Sequence, residues 1–126
     1  MNYTLERLGV VMEPDPDDPL EAWGVLNPAT ARGPDCELYL FPRLVAEGNY
    51  SRIGRARVVF QDGTPAGVER LGVALEPEQP WEERGIEDPR ITWVEERKEW
   101  IIAYTAYSRG GPLVSLASTR DFAAFE

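Results

Sequence analysis

The chain has 126 residues, 43% of them hydrophobic, and carries 22 acidic against 13 basic residues with no His, for a net charge of −9. That length fits one domain or a piece of one, and the composition is not that of a disordered chain. So acidic a surface repels nucleic-acid backbones, while a single Cys and no His rule out an intramolecular disulfide and all but exclude a zinc site.

The lone Cys36 suits a reducing compartment. The opening MNYTLERLGVVMEPD has an early acid and no long apolar region, unlike a secretory signal. No apolar run approaches the length of a membrane span. These features predict a cytoplasmic protein with neither a membrane nor a nucleic-acid partner.

Eleven Pro and eleven Gly interrupt nearly every window long enough for a helix. Short apolar runs remain, and each reads as a strand. Leu5 to Met12 is the first, ended by the Pro/Asp loop EPDPDDP. Trp23 to Leu26 is short and apolar, and NPATARGPD after it reads as a loop. Glu37 to Val45 is a strand with Pro42 near its end or at a sheet edge. Ser51 to Phe60 alternates and stops at Gln61-Asp62-Gly63, where Asp-Gly marks a tight hairpin. Val68 to Leu75 is a further strand. In the last third, Ile91 to Val94, Trp100 to Tyr107 and Leu113 to Ser118 are separated by EERKE and by Arg109-Gly110-Gly111-Pro112, the pattern of an antiparallel meander. The spacing predicts an all-β sandwich, barrel or propeller. No strict repeat, low-complexity tract or internal linker stands out, so residues 1–126 are read as one unit.

Chemistry concentrates in GIEDPRITW, Gly85 to Trp93. Two neighbouring carboxylates, Glu87 and Asp88, repel each other just before a strand. Pro89 is expected to hold Asp88 in an extended conformation, a stiff perch suited to a working acid. A solvated Asp-Pro turn explains the same tetrapeptide. Asn27-Pro28 is equally a turn starter or an amide aimed at a sugar hydroxyl. Arg43, Arg52, Arg55 and Arg57 either serve a site or balance an acidic chain. The aromatic residues are mostly core, and neither a Gly-rich phosphate loop nor a serine-nucleophile elbow is present.

Taken in order, NPA (27–29), ELYLFPR ending at Arg43, SRIGRA (51–56) before an Asp-Gly turn, GIEDPRIT (85–92), YTAY (104–107) and LASTRDFAAFE (116–126) resemble the N-terminal part of glycoside hydrolase family 130. These are the mannoside phosphorylases and related β-mannosidases. The resemblance implies a five-bladed β-propeller with the site in its central channel. It implies that Asp88 is the general acid, delivering its proton to the glycosidic oxygen through the mannosyl 3-hydroxyl. Phosphate would attack a β-mannoside with inversion and release α-mannose 1-phosphate. Asn27 matches a ligand of the mannosyl unit, Arg43 and Arg52 match basic positions of the motif, and Glu87 is left to local hydrogen bonding or substrate contact. Substrates would be a β-mannoside oligosaccharide and inorganic phosphate, with no cofactor. An inverting hydrolase needs a separate base and room for a water, whereas phosphate arrives already anionic and needs cations instead.

One departure bears on this reading. A propeller blade takes roughly 40 to 50 residues, so the chain is expected to hold about two blades and an entry strand. It would be a portion of a longer enzyme or a subunit that assembles with copies of itself. The family's phosphate-holding residues lie mostly beyond EDPR, and the isolated chain is expected to be inactive. A hydrolase of the same fold and a non-catalytic carbohydrate-binding or assembly module are the alternatives.

Overall fold

Short apolar segments form strands only where a neighbour takes up their backbone hydrogen bonds. The computed structural model describes residues 1–126, and within it seven segments find such neighbours. Strands β1 (Gly24–Arg32), β2 (Leu38–Ala46), β3 (Tyr50–Gln61) and β4 (Thr64–Leu75) form one antiparallel sheet in chain order. Strands β5 (Ile86–Val94), β6 (Glu99–Ser108) and β7 (Gly111–Thr119) form a second. Single 3-10 turns at Pro19–Glu21, Glu47–Asn49 and Pro80–Glu82 complete the regular structure.

The hairpin at Asp62-Gly63 forms as read: both residues have positive φ, 51° and 77°, as its tight turn requires. The meander of the last third also forms. Leu5 to Met12, however, is not a strand. No ladder reaches it, and residues 1–10 are exposed; an apolar run is a strand only when a neighbour takes up its backbone hydrogen bonds. NPATAR is not a loop but the body of β1. Pro42 is not at an edge. It lies in the inner strand β2, where Phe41 pairs with Ala29 and Arg43 with Leu26. Its missing N–H faces β3, in the gap that the β2–β3 ladder leaves between the pairing of Leu40 with Ala56 and that of Arg43 with Ile53.

Strand β5 carries the same device. Its register skips between Glu87 and Arg90, and Asp88 has φ 51°. Asp88 is thus left-handed rather than extended. The bulge takes up the unpaired residue and sets Pro89, fully buried, outside the ladder.

The two bulges belong to a repeat that escapes a first reading of the sequence. Pro19-x-Glu21-x-x-Gly24-x-x-Asn27-Pro28 recurs with identical spacing as Pro80-x-Glu82-x-x-Gly85-x-x-Asp88-Pro89, an offset of 61. In each copy a 3-10 turn leads into the first strand of a sheet. Each copy also buries its glutamate to 2% exposure. Glu21 accepts the Asp15 N–H and two bonds from Arg70. Glu82 accepts the Glu78 and Gln79 N–H groups and the Tyr104 hydroxyl. Burial and that carboxylate push the Tyr104 hydroxyl far above its ordinary range, so it stays a proton donor. Gly85 is needed as glycine twice over. Its φ is 111°, and a Cβ there would sit 2.8 Å from the Ser51 nitrogen.

The sheets pack through one face each. Ala29, Phe41 and Ile53 meet Ile86, Ile102 and Ala117, and Phe122 closes the cluster. The Phe122 ring stands edge-on to Tyr39, Phe41 and Trp100 at centroid distances of 5.3, 5.1 and 4.6 Å. Removing a fully buried ring with such contacts costs about 3–5 kcal/mol. Phe122→Ala is therefore expected to lower the urea midpoint steeply with little change in slope.

Acid should loosen the same fold. Burial would push the Glu21 carboxyl up, but the bonds from Arg70 and the Asp15 amide outweigh it and hold the group below its ordinary value of 4.5. A carboxyl lowered by folding stabilises the native state above its unfolded value, and that contribution is lost as pH falls below about 4.5. Melting curves across this range should show a drop in Tm that is shallower in Glu21→Gln than in the parent chain.

Candidate active site

Adjacent residues of a regular strand point to opposite faces. Glu87 and Asp88 do not, because the left-handed turn at Asp88 re-aims its side chain. Both carboxylates consequently reach one cation, Arg43 of β2. Its Nη2 donates to Glu87 Oε1 at 2.9 Å and its Nη1 to Asp88 Oδ1 at 3.2 Å. Nε donates to Ser51 Oγ at 2.9 Å, and Nη2 also to Asn49 Oδ1 at 3.2 Å. The Arg43 side chain is 11% exposed, against 20% for Glu87 and 40% for Asp88. A cation buried this far is tolerated because acceptors surround it. The charge of Arg43 also removes the repulsion that two adjacent acids would otherwise suffer.

Asn27, at the bulge of β1, donates from Nδ2 to Asp88 Oδ1 at 2.9 Å. Oδ1 of Asp88 thus receives two donors, while Oδ2 has no hydrogen bond within the chain. Asn27, Arg43, Glu87 and Asp88 therefore converge, from three strands and both sheets. The structure separates Arg52 from them. The pairing of Arg43 with Ile53 and of Leu44 with Arg52 puts Arg52 on the opposite face of the sheet. There it donates to Glu76 at 3.2 Å and lies over the Tyr50 ring. Arg55 donates to the carbonyls of Phe122 and Leu71, and Arg57 pairs with Glu69. These three arginines serve the sheets.

Sequence reasoning missed Asn49 and Ser51. Asn49 has φ 60°, in the turn between β2 and β3, and Ser51 is completely buried. The only signal was position: Asn49 lies in the turn just ahead of β3 and Ser51 near its start, and β3 pairs with the strand that carries Arg43. The largest cleft, about 530 Å³, lies away from this cluster, between the end of β4 and β7. Its deepest polar groups, Glu82 and the Tyr104 hydroxyl, are already bonded to each other. The convergence of acid, cation and amide, rather than concavity, marks the candidate site.

The fold recurs in solved structures. A protein from Parabacteroides distasonis assigned as a glycoside hydrolase matches with TM-score 0.74 and 25% identity, over 92% of this chain and 38% of its own. One from Bacteroides ovatus, also assigned as a glycoside hydrolase, matches with TM-score 0.76 and 23% identity, over 100% of this chain and 40% of its own. A third comes from work on glycoside hydrolases within the mannoside phosphorylases of family 130, acting on β-1,2-mannosidic linkages of Candida mannan. It matches with TM-score 0.64 and 20% identity, over 100% of this chain and 43% of its own. The chain thus spans about two-fifths of the length of the structures it matches. No curated protein matches it. The family model for β-1,4-mannooligosaccharide phosphorylases matches residues 9–126. That is nearly the whole chain, and both bulged motifs lie inside it; the chain belongs to glycoside hydrolase family 130, the β-1,4-mannooligosaccharide phosphorylase family.

Proposed function

We propose that these residues carry the acid side of an inverting mannoside phosphorylase, with Asp88 as the general acid. The observation that carries this reading is the asymmetry of one carboxylate: Oδ1 is held by Asn27 and Arg43, Oδ2 makes no bond within the chain, and the side chain is 40% exposed. A carboxyl fixed at one oxygen presents the other, with its proton, in a defined direction. The two sheets are read as successive blades of a five-bladed β-propeller, residues 1–126 forming its N-terminal portion. Their first strands, β1 and β5, lie side by side and would line the channel.

In the proposed reaction a phosphate oxygen attacks the mannosyl C1 of a β-mannoside, and the bond from C1 to the glycosidic oxygen breaks. That oxygen takes a proton from the mannosyl 3-hydroxyl, which is resupplied from Oδ2 of Asp88. The products are α-mannose 1-phosphate and the released acceptor sugar. Arg43 keeps the acid and Glu87 in place, and the Asn27 carbonyl remains for a sugar hydroxyl. Matched structures are more than twice as long as this chain. We assign the phosphate-holding cations to the part of the ring that these residues do not supply, so the 126-residue chain alone should be inactive.

Hydrolysis is the second reading, favoured by the matched structure associated with hydrolytic members of the family. An inverting hydrolase holds its two carboxylates about 6.5–9.5 Å apart across the substrate. Glu87 is bonded to the same guanidinium as Asp88, beside the acid rather than opposite it. Glu87 is therefore not the opposing base of a hydrolase, and phosphorolysis needs none.

With β-1,4-mannobiose and phosphate, the whole enzyme carrying this sequence is expected to yield α-mannose 1-phosphate, visible by phosphorus NMR. Asp88→Asn should cut kcat by about 10²–10⁴. Undiminished turnover in that variant would refute the acid, and free mannose formed without phosphate would establish the hydrolase instead.

A further inference from the structure

We propose that Asn27 is a positioning residue that fixes which oxygen of Asp88 carries the proton. The inference rests on the reading of Asp88 as the acid and concerns a different atom set from sugar contact.

A protonated carboxyl has two oxygens to choose from, and only one orientation delivers the proton productively. Asn27 Nδ2 and Arg43 Nη1 both donate to Oδ1. An oxygen already accepting two N–H bonds cannot take a proton without losing at least one of them. The proton is therefore directed to Oδ2. Arg43 alone would not fix this, because its guanidinium is shared among Asp88, Glu87, Asn49 and Ser51 and its bond to Asp88 is the longer of the two on Oδ1. The amide of Asn27 has no other donor bond within the chain and reaches Oδ1 at 2.9 Å.

The backbone explains how so short a side chain reaches across from the other sheet. Asn27 and Asp88 occupy the same position in the two copies of the repeat. Each has a left-handed φ, 45° and 51°, each precedes a proline, and each sits in a bulge of the first strand of its sheet. Among non-glycine residues, Asn and Asp adopt this conformation most readily. The bulges turn the two side chains toward each other, and the repeat supplies an amide in one copy where it supplies the acid in the other. The remaining Asn27 carbonyl oxygen stays available to a sugar hydroxyl, so the two roles use opposite ends of one amide.

The test uses Asn27→Gly, which suits the positive φ and removes only the side chain, and Asn27→Asp, which keeps the shape and replaces the donor with an acceptor. In the whole enzyme both should lower kcat about tenfold to a hundredfold; Asn27→Asp, which keeps an oxygen for the sugar, should hold KM for β-1,4-mannobiose within about threefold, whereas Asn27→Gly, which also removes that oxygen, should raise it. Raised KM with kcat retained would overturn the inference in favour of sugar binding alone. A readout independent of turnover comes from the same whole enzyme. Its Asn27 side-chain amide protons should be shifted and slow to exchange by NMR, and Asp88→Ala should abolish both properties while the remaining amide spectrum persists. An Asn27 amide indifferent to Asp88→Ala would overturn the inference even if the variant enzymes were impaired. Full activity of Asp88→Asn would instead sink the acid assignment itself, whatever Asn27 does.

Discussion

The guanidinium of Arg43 joins the two sheets at the candidate site. It reaches from β2 to Glu87 and Asp88 on β5, and its remaining bonds hold Ser51 and Asn49. A nearly buried cation is costly unless acceptors surround it, and removing a partner from such a pair typically costs about 3–5 kcal/mol. The two acids need Arg43 for the complementary reason: without it they are like charges on adjacent residues. Site and sheet packing are thus one constraint. Gly85 belongs to it as well, since only a residue without Cβ lets β5 approach Ser51 closely enough to bring its acids within reach.

Bulges turn this packing into geometry. A regular strand would send Asp88 to the face opposite Glu87. The left-handed residue before Pro89 brings both to Arg43, and the matching residue before Pro28 sends Asn27 to meet them. Proline suits both places because its missing N–H falls where the ladder is already broken. The buried glutamates one turn upstream, Glu21 and Glu82, tie the entry of each strand to its own sheet through Arg70 and Tyr104. The same short motif, used twice, therefore builds the framework of both sheets, and a single difference between its copies, Asn for Asp, sets a carboxylate in one against an amide donor in the other.

Much of this was legible in the residues. Strands β2, β3, β6 and β7, the Asp62-Gly63 hairpin and the meander followed from apolar runs and turn chemistry, which are local. Family membership followed from the ordered motifs. What was not legible depends on long-range pairing. Asn27-Pro28 and Asp88-Pro89 look like strand breakers until a partner strand shows that a bulge absorbs them. Leu5 to Met12 has a strand's composition but pairs with no strand. Arg52 and Arg43 are equally basic, and only register separates their faces. The repeat stayed hidden because its fixed positions are scattered among variable ones, and its spacing means little until both copies are seen to open a sheet.

The central claim is that Asp88 offers its Oδ2 to a bound mannoside while Asn27 and Arg43 hold Oδ1. A crystal structure of the whole enzyme with β-1,4-mannobiose would test it most directly. The account predicts the mannosyl 3-hydroxyl within about 2.6–3.2 Å of Oδ2, with both bonds to Oδ1 retained. A sugar seated away from Asp88, or a carboxylate swung free of Asn27 and Arg43 in the complex, would contradict it.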